Sequence, residues 1–358
     1  MTPLFEALAR RIRAHGPISI AEYLAQALTA AGDGYYTGRD PLGAGGDFVT
    51  APEVSQMFGE LIGIWCLDLW QRMGEPALLR LVELGPGRGT LLADALRATA
   101  RRGAFHEALQ LHLVEVSPVL RDRQRTALAG FGLPLAWHAS LDDVPDGPML
   151  LVANEFFDAL PIRQFQLGDR GWAERLVGLS PGGDRLTLGL GAPLPAAMFT
   201  GLPAAPVGAV LEVCLAGSRL AGTIARRLRR DGGAALLVDY GYEGPAFGDT
   251  LQAVRGHAYA DVLAHPGEAD LTAHVDFAAL ADAARREGGA VFGPVAQGAF
   301  LHALGIEHRA ATLKRQASPP QAEAVDQALA RLTGPAQMGE LFRVMAMADP
   351  AGPPPAGF

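Results

Sequence analysis

The sequence predicts a doubly wound α/β fold with a mostly parallel sheet, and two observations carry that expectation. Short apolar runs at 78–84, 109–115 and 149–154 alternate with amphipathic segments of helical period. The first run then breaks into alternate glycines, Leu81-Val82-Glu83-Leu84-Gly85-Pro86-Gly87-Arg88-Gly89-Thr90, the punctuation of a strand, a tight loop and a helix start.

In chain order, 3–14 and 20–31 have helical periodicity around His15-Gly16-Pro17, a helical hairpin outside any sheet. A long Gly-rich, aromatic-punctuated loop follows to Phe48, of the kind expected to be either functional or mobile. Thr50-Ala51-Pro52-Glu53 has capping-box spacing and opens a long amphipathic helix to about Met73. Helices over 90–102 and 118–129 then alternate with the strands, and a short strand lies near Leu135.

Alternating strands at 163–167, 173–179 and 186–190 read as an inserted β meander within 162–207. The sheet resumes with a strand at 210–215, a helix at 218–230 and a buried strand at 234–240. Residues 251–277 carry clustered polar groups without regular period. A helix at 277–287, a strand at 289–295, helices to about Leu332 and a strand at 341–347 complete it. The expected domains are 1–75, helices and a donor-covering loop; 76–348, the sheet domain; and 349–358, a loose Pro-rich tail.

The net charge of −8 and the lack of a long Lys/Arg run argue against a nucleic-acid partner. The most apolar stretch, 61–69, carries Asp68 and is far short of the ~18 residues a membrane span needs, so no membrane insertion is expected. The N-terminus has no signal-peptide core, and a cytoplasmic protein is expected, the alternative being a short organelle transit peptide. Cys66 and Cys214 read as reduced thiols, and His257, His265 and His274 lack metal-ligand spacing, so no metal is expected.

The chemistry concentrates at strand ends. The glycine loop reads E-x-G-x-G-x-G rather than the dinucleotide pattern G-x-G-x-x-G. Glu83 beside the loop would repel a pyrophosphate and attract an amine, while backbone N–H groups receive a carboxylate. S-adenosylmethionine meets those demands; the plain alternative is a Gly-rich turn that binds nothing. Glu115 ends the next strand, where an acid accepts ribose hydroxyls or, alternatively, stabilises a helix N-terminus. Asn154-Glu155-Phe156-Phe157-Asp158-Ala159-Leu160-Pro161 follows the third strand and brings two acids, an amide and two aromatics to the same end.

Together with Gly46-Asp47-Phe48-Val49-Thr50-Ala51-Pro52-Glu53-Val54-Ser55-Gln56, Asp239-Tyr240-Gly241 and the segment from Asp270 to Phe277, these strings resemble one family over nearly the whole chain. It is the MidA-like family of S-adenosylmethionine-dependent methyltransferases, which includes a mitochondrial complex I assembly factor. The resemblance implies a class I methyltransferase sheet of seven strands with the last antiparallel, and methylation of a protein arginine, in a respiratory complex I subunit or similar.

An arginine acceptor needs carboxylates that hold its guanidinium, and Glu155 and Asp158 are the candidates for catalysis. Donor contacts are expected from Glu83, Gly85, Pro86, Gly87, Gly89, Thr90, Glu115 and Asn154, with Asp47, Thr50, Glu53 and Gln56 closing over the donor. Arg255, His257, Asp270, His274 and Asp276 either line an acceptor channel or stitch an irregular loop. The competing functions are a non-catalytic assembly factor that binds S-adenosylmethionine as a structural element, and a small-molecule methyltransferase. The sequence is compatible with a homodimer.

Overall fold

The computed structural model describes residues 2–38 and 50–358. The chain forms two compact units, one of Met1–Phe48, Asp158–Arg219 and Tyr242–Ala279, the other of Val49–Phe157, Leu220–Gly241 and Leu280–Phe358.

The second unit is built on seven strands of an eight-stranded sheet, β1 Leu79–Leu84, β2 Leu109–Val114, β3 Leu135–His138, β4 Met149–Asn154, β5 Gly233–Tyr242, β6 Ala290–Ala296 and β7 Phe342–Ala348. Their order is β3-β2-β1-β4-β5-β7-β6. All neighbours from β3 to β5 are parallel, and β7 runs antiparallel to both β5 and β6. The order reverses between β1 and β4, the switch point outside which ligands of open α/β sheets bind. Every residue of β1 and β4 is buried, the mark of a strand covered on both faces.

The helix expected from Thr50 to Met73 is two helices, α1 Ala51–Val54 and α2 Gln56–Arg72. Ser55 separates them because it adopts an extended conformation (φ −164°) and its hydroxyl accepts from Met57 N, capping α2. Thr50 makes no side-chain cap bond, so the capping box read there is not formed. The next helix, α3 Thr90–Thr99, lies against α2 at Gly59 and Gly63. A Cβ on Gly63 would stand 2.5 Å from the backbone oxygen of Ala95, so two glycines one turn apart set the closeness of the helices.

The terminal segment, expected to lie loose, is seated. Trp65 Nε1 donates to Ala356 O at 3.1 Å, and the Phe358 ring packs on Phe300 with centroids 5.4 Å apart. Average composition hides such an anchor: the prolines stiffen the segment, which lowers the entropy lost on docking, and one terminal aromatic supplies the apolar contact.

The first unit unites the N-terminal helices Pro3–His15 and Ile20–Thr29 with the meander. Ile18–Ser19 pairs with Gly171–Leu179, Ile18 opposite Val177, which is why the expected boundary at 75/76 is not where the chain divides. The irregular segment resolves into a small sheet of Gln252–Arg255, Ala258–Ala260 and Asp270–Thr272. Leu4, Leu8, Tyr23, Leu24, Ile162 and Leu271 share this unit's core.

Candidate active site

The glycine loop leaves the carboxyl end of β1, with Gly85 N donating to Val114 O of β2 at 3.0 Å. Gly85, Gly87 and Gly89 have φ of 60°, 54° and 82°, a region that side-chain-bearing residues enter at a cost. At Gly85 sterics add to this, since a Cβ would meet the Phe156 ring at 2.8 Å. Pro86 O accepts from Gly89 N at 2.8 Å and closes the turn. Gly89 is the N-cap of α3 and brings no side-chain acceptor, which suits the start of that helix to an anionic group.

Glu83 is 4% exposed and turns under α2 and α3, where it lines a cavity of about 10 Å³ with Ile62, Cys66, Leu91, Leu92 and Ala95. That is about the room of one water. Its Oε2 has no hydrogen-bond partner, and burial pushes the carboxyl up from 4.5 to about 8, so it is protonated at pH 7. A raised acid pKa favours the protonated native form, so its contribution to stability is complete below about pH 4.5 and is lost as pH rises through about 8. Glu83→Gln, uncharged throughout, is expected to flatten this loss: urea midpoints at pH 5 and pH 9 should differ less than in the parent. An unchanged difference would contradict the burial of an ionisable carboxyl here.

Glu115, one residue beyond β2, is buried with both carboxylate oxygens held. Oε1 accepts from Ser117 N at 2.8 Å and Oε2 from Gln124 Nε2 at 3.1 Å. Burial raises its pKa, and these two bonds oppose the rise. The Ser117 bond is the helix-terminal role, yet each oxygen has a second lone pair, so this role leaves acceptor capacity for a diol.

At β4, Asn154 Nδ2 donates to Glu155 Oε1 at 3.2 Å, while its buried Oδ1 has no hydrogen-bond partner. Glu155 sits at φ 49°, and its Oε1 also accepts from Ala51 N at 2.9 Å, holding the start of α1. Asp239, on β5, fixes this strained turn: Oδ2 accepts from Phe156 N at 3.2 Å and Phe157 N at 3.0 Å, and Oδ1 from Tyr240 N. Glu53 accepts from the Thr90 hydroxyl at 2.8 Å, joining α1 to the start of α3. Gln56 is exposed and bonds Glu60 at 3.1 Å instead. Asp47 lies outside the described residues.

Asp158 belongs to the other unit. There the Tyr36 hydroxyl donates to Asp270 at 2.8 Å, and its pKa is raised well above 10 by burial first, then by the charges of Asp270 and Asp158. Both carboxylates are buried. Of the remaining candidates in this unit, Arg255 forms an exposed ion pair with Glu268, and His257 is exposed at φ 62° in a turn. Asp276 accepts from Ala279 N at the start of helix Phe277–Arg286, and His274 is half-buried, with its pKa lowered by burial. Among the described residues, no group of three or more His, Cys, Asp or Glu is placed to hold a metal ion.

A glycine loop at positive φ, an orphaned amide oxygen at Asn154 and the Glu115 carboxylate fit a nucleoside with an amino-acid tail. With the strand order β3-β2-β1-β4-β5-β7-β6, they define a class I methyltransferase. The model of a family of S-adenosyl-L-methionine-dependent methyltransferases matches residues 61–295, and the chain belongs to that family. The chain is 40% identical over 366 residues to the Danio rerio protein arginine methyltransferase NDUFAF7, covering 96% of this chain and 86% of that protein. It is 39% identical to the Drosophila melanogaster homolog, covering 95% and 84%. A Burkholderia thailandensis protein solved with bound S-adenosyl-homocysteine superposes with a TM-score of 0.83 at 30% identity, covering 96% of this chain and 92% of that one.

These relatives correct one expectation. The Danio and Drosophila proteins are named as mitochondrial, which overturns the cytoplasmic placement. That placement rested on a missing signal-type segment, and a missing segment says nothing about compartment. Two residues that tie the site together were not singled out as site residues from sequence. Asp239 was visible only as part of a family string, and Gln124 lies in a charged helical stretch with no local signal.

Proposed function

We propose that the chain is a protein arginine N-methyltransferase, and the observation that carries this is the Glu155 carboxylate at the end of β4, set in a strained turn by Asp239. S-adenosylmethionine, when bound, supplies a methyl carbon activated by its sulfonium. The loop from Gly85 to Gly89 and the start of α3 would hold its amino-acid carboxylate, Glu115 its ribose, and Asn154 its amine.

Glu155 holds the acceptor guanidinium, concentrates its positive charge on the far nitrogens and takes up the proton as the nitrogen is alkylated. No covalent intermediate on the protein is required, because the transfer is a single displacement in which alignment supplies much of the rate. The names of the relatives support an arginine acceptor. The family resemblance extends this reading to a subunit of respiratory complex I.

Incubation with radiolabelled S-adenosylmethionine and a mitochondrial protein extract, followed by mapping of labelled residues, tests the reading. Label in arginine of one protein is expected. Label only in metabolites, or no transfer despite donor binding, would overturn it in favour of a small-molecule enzyme or a non-catalytic binder.

A further inference from the structure

Gln124 lies on helix α4, Pro118–Leu128, and is fully buried. Its Nε2 donates to Gly87 O at 2.8 Å and to Glu115 Oε2 at 3.1 Å, while its Oε1 accepts from Trp137 Nε1 at 2.8 Å. One amide thus touches the glycine loop, the acid at the end of β2 and a side chain of β3.

The indole N–H can only donate, whereas a carbonyl and a carboxylate can only accept. Trp137 therefore dictates which end of the amide faces it. A flipped amide would set NH2 against an N–H, and its oxygen against two acceptors. With Ser117 N on the other carboxylate oxygen, the Glu115 plane has no freedom left to turn.

We propose that Gln124, oriented by Trp137, is a positioning residue that locks Glu115 toward the ribose hydroxyls of the donor and registers it against the Gly87 turn. It touches no donor atom itself. This rests on the assignment of the loop and Glu115 to the donor. The group works because a buried carboxylate held on both oxygens loses no orientational entropy when a diol docks. Arg121 adds a fixed charge nearby, its Nε donating to the backbone oxygen of Glu115 at 2.8 Å.

The test compares binding of S-adenosyl-homocysteine and its 2′,3′-dideoxy analogue by calorimetry in the parent, Gln124→Leu and Trp137→Phe proteins. The parent should prefer the hydroxylated ligand roughly 10- to 100-fold, the range of hydrogen bonds to a charged acceptor. In Gln124→Leu that preference should collapse to within about threefold, with the analogue's own affinity little changed. Trp137→Phe, which leaves the glutamine in place but unoriented, should lose part of it.

A general disturbance of the loop would weaken both ligands equally and keep their ratio; that result overturns the inference. So does a Trp137→Phe protein with the full parental ratio, which serves as the arbiter if Gln124→Leu does not fold. If the parent itself shows no preference, the ribose assignment of Glu115 fails, and the inference with it.

Discussion

A Gly87→Val protein is expected to fold and to lose at least ~100-fold in affinity for S-adenosyl-homocysteine, on the order of 3 kcal/mol. Gly87 has φ 54°, and its carbonyl is tied to Gln124 at 2.8 Å, so the turn cannot roll to relieve a new side chain. A branched residue there costs about 1–2 kcal/mol of strain, which a domain of this size tolerates, but its methyl groups occupy the face on which the donor's amino-acid portion would rest. Calorimetry and urea unfolding on the same preparation separate the two effects. Unchanged affinity in a folded protein would remove the loop from the donor site.

Glu155→Gln carries the next largest expectation: turnover reduced by 10²-fold or more, the usual range for loss of a positioned base, with donor affinity within about threefold of the parent. The substitution is informative because of what it preserves. A glutamine oxygen can still accept from Ala51 N, which Glu155 holds at 2.9 Å, so α1 keeps its anchor while the charge and the proton acceptor disappear. Single-turnover methylation of an identified acceptor would report the loss. Normal transfer rates would reduce Glu155 to the helix-anchoring role that its bond to Ala51 N already shows.

Much of the large sheet was legible because its strands are buried on both faces and its helices on one, so hydrophobic period alone marks them. The run Met149–Asn154 is strand over its whole expected length. The glycine loop was legible for a related reason: three positions at positive φ demand a residue that only one amino acid supplies cheaply. Local pattern failed where tertiary contacts decide. Ser55 breaks a helix that apolar period would continue, and Phe358 seats a tail that composition would release.

Side-chain partners were the least accessible. Glu83 was expected to tip toward the loop as a carboxylate, yet it lines an apolar cavity and is protonated at pH 7, because facing alternates along a strand and α2 and α3 cover that face. Thr50 and Glu53 matched a capping box, but Glu53 bonds Thr90, distant in sequence. Asp239 acts on a turn 82 residues away and Gln124 on one 37 residues away, pairings that no local window contains.

The measurement bearing most directly on donor binding is a crystal structure of the protein soaked with S-adenosyl-homocysteine. The methionine-derived tail is expected along Gly85, Gly87 and Gly89, with both ribose hydroxyls on the Glu115 carboxylate. A nucleoside bound elsewhere, with the glycine loop and Glu115 untouched, would contradict the account.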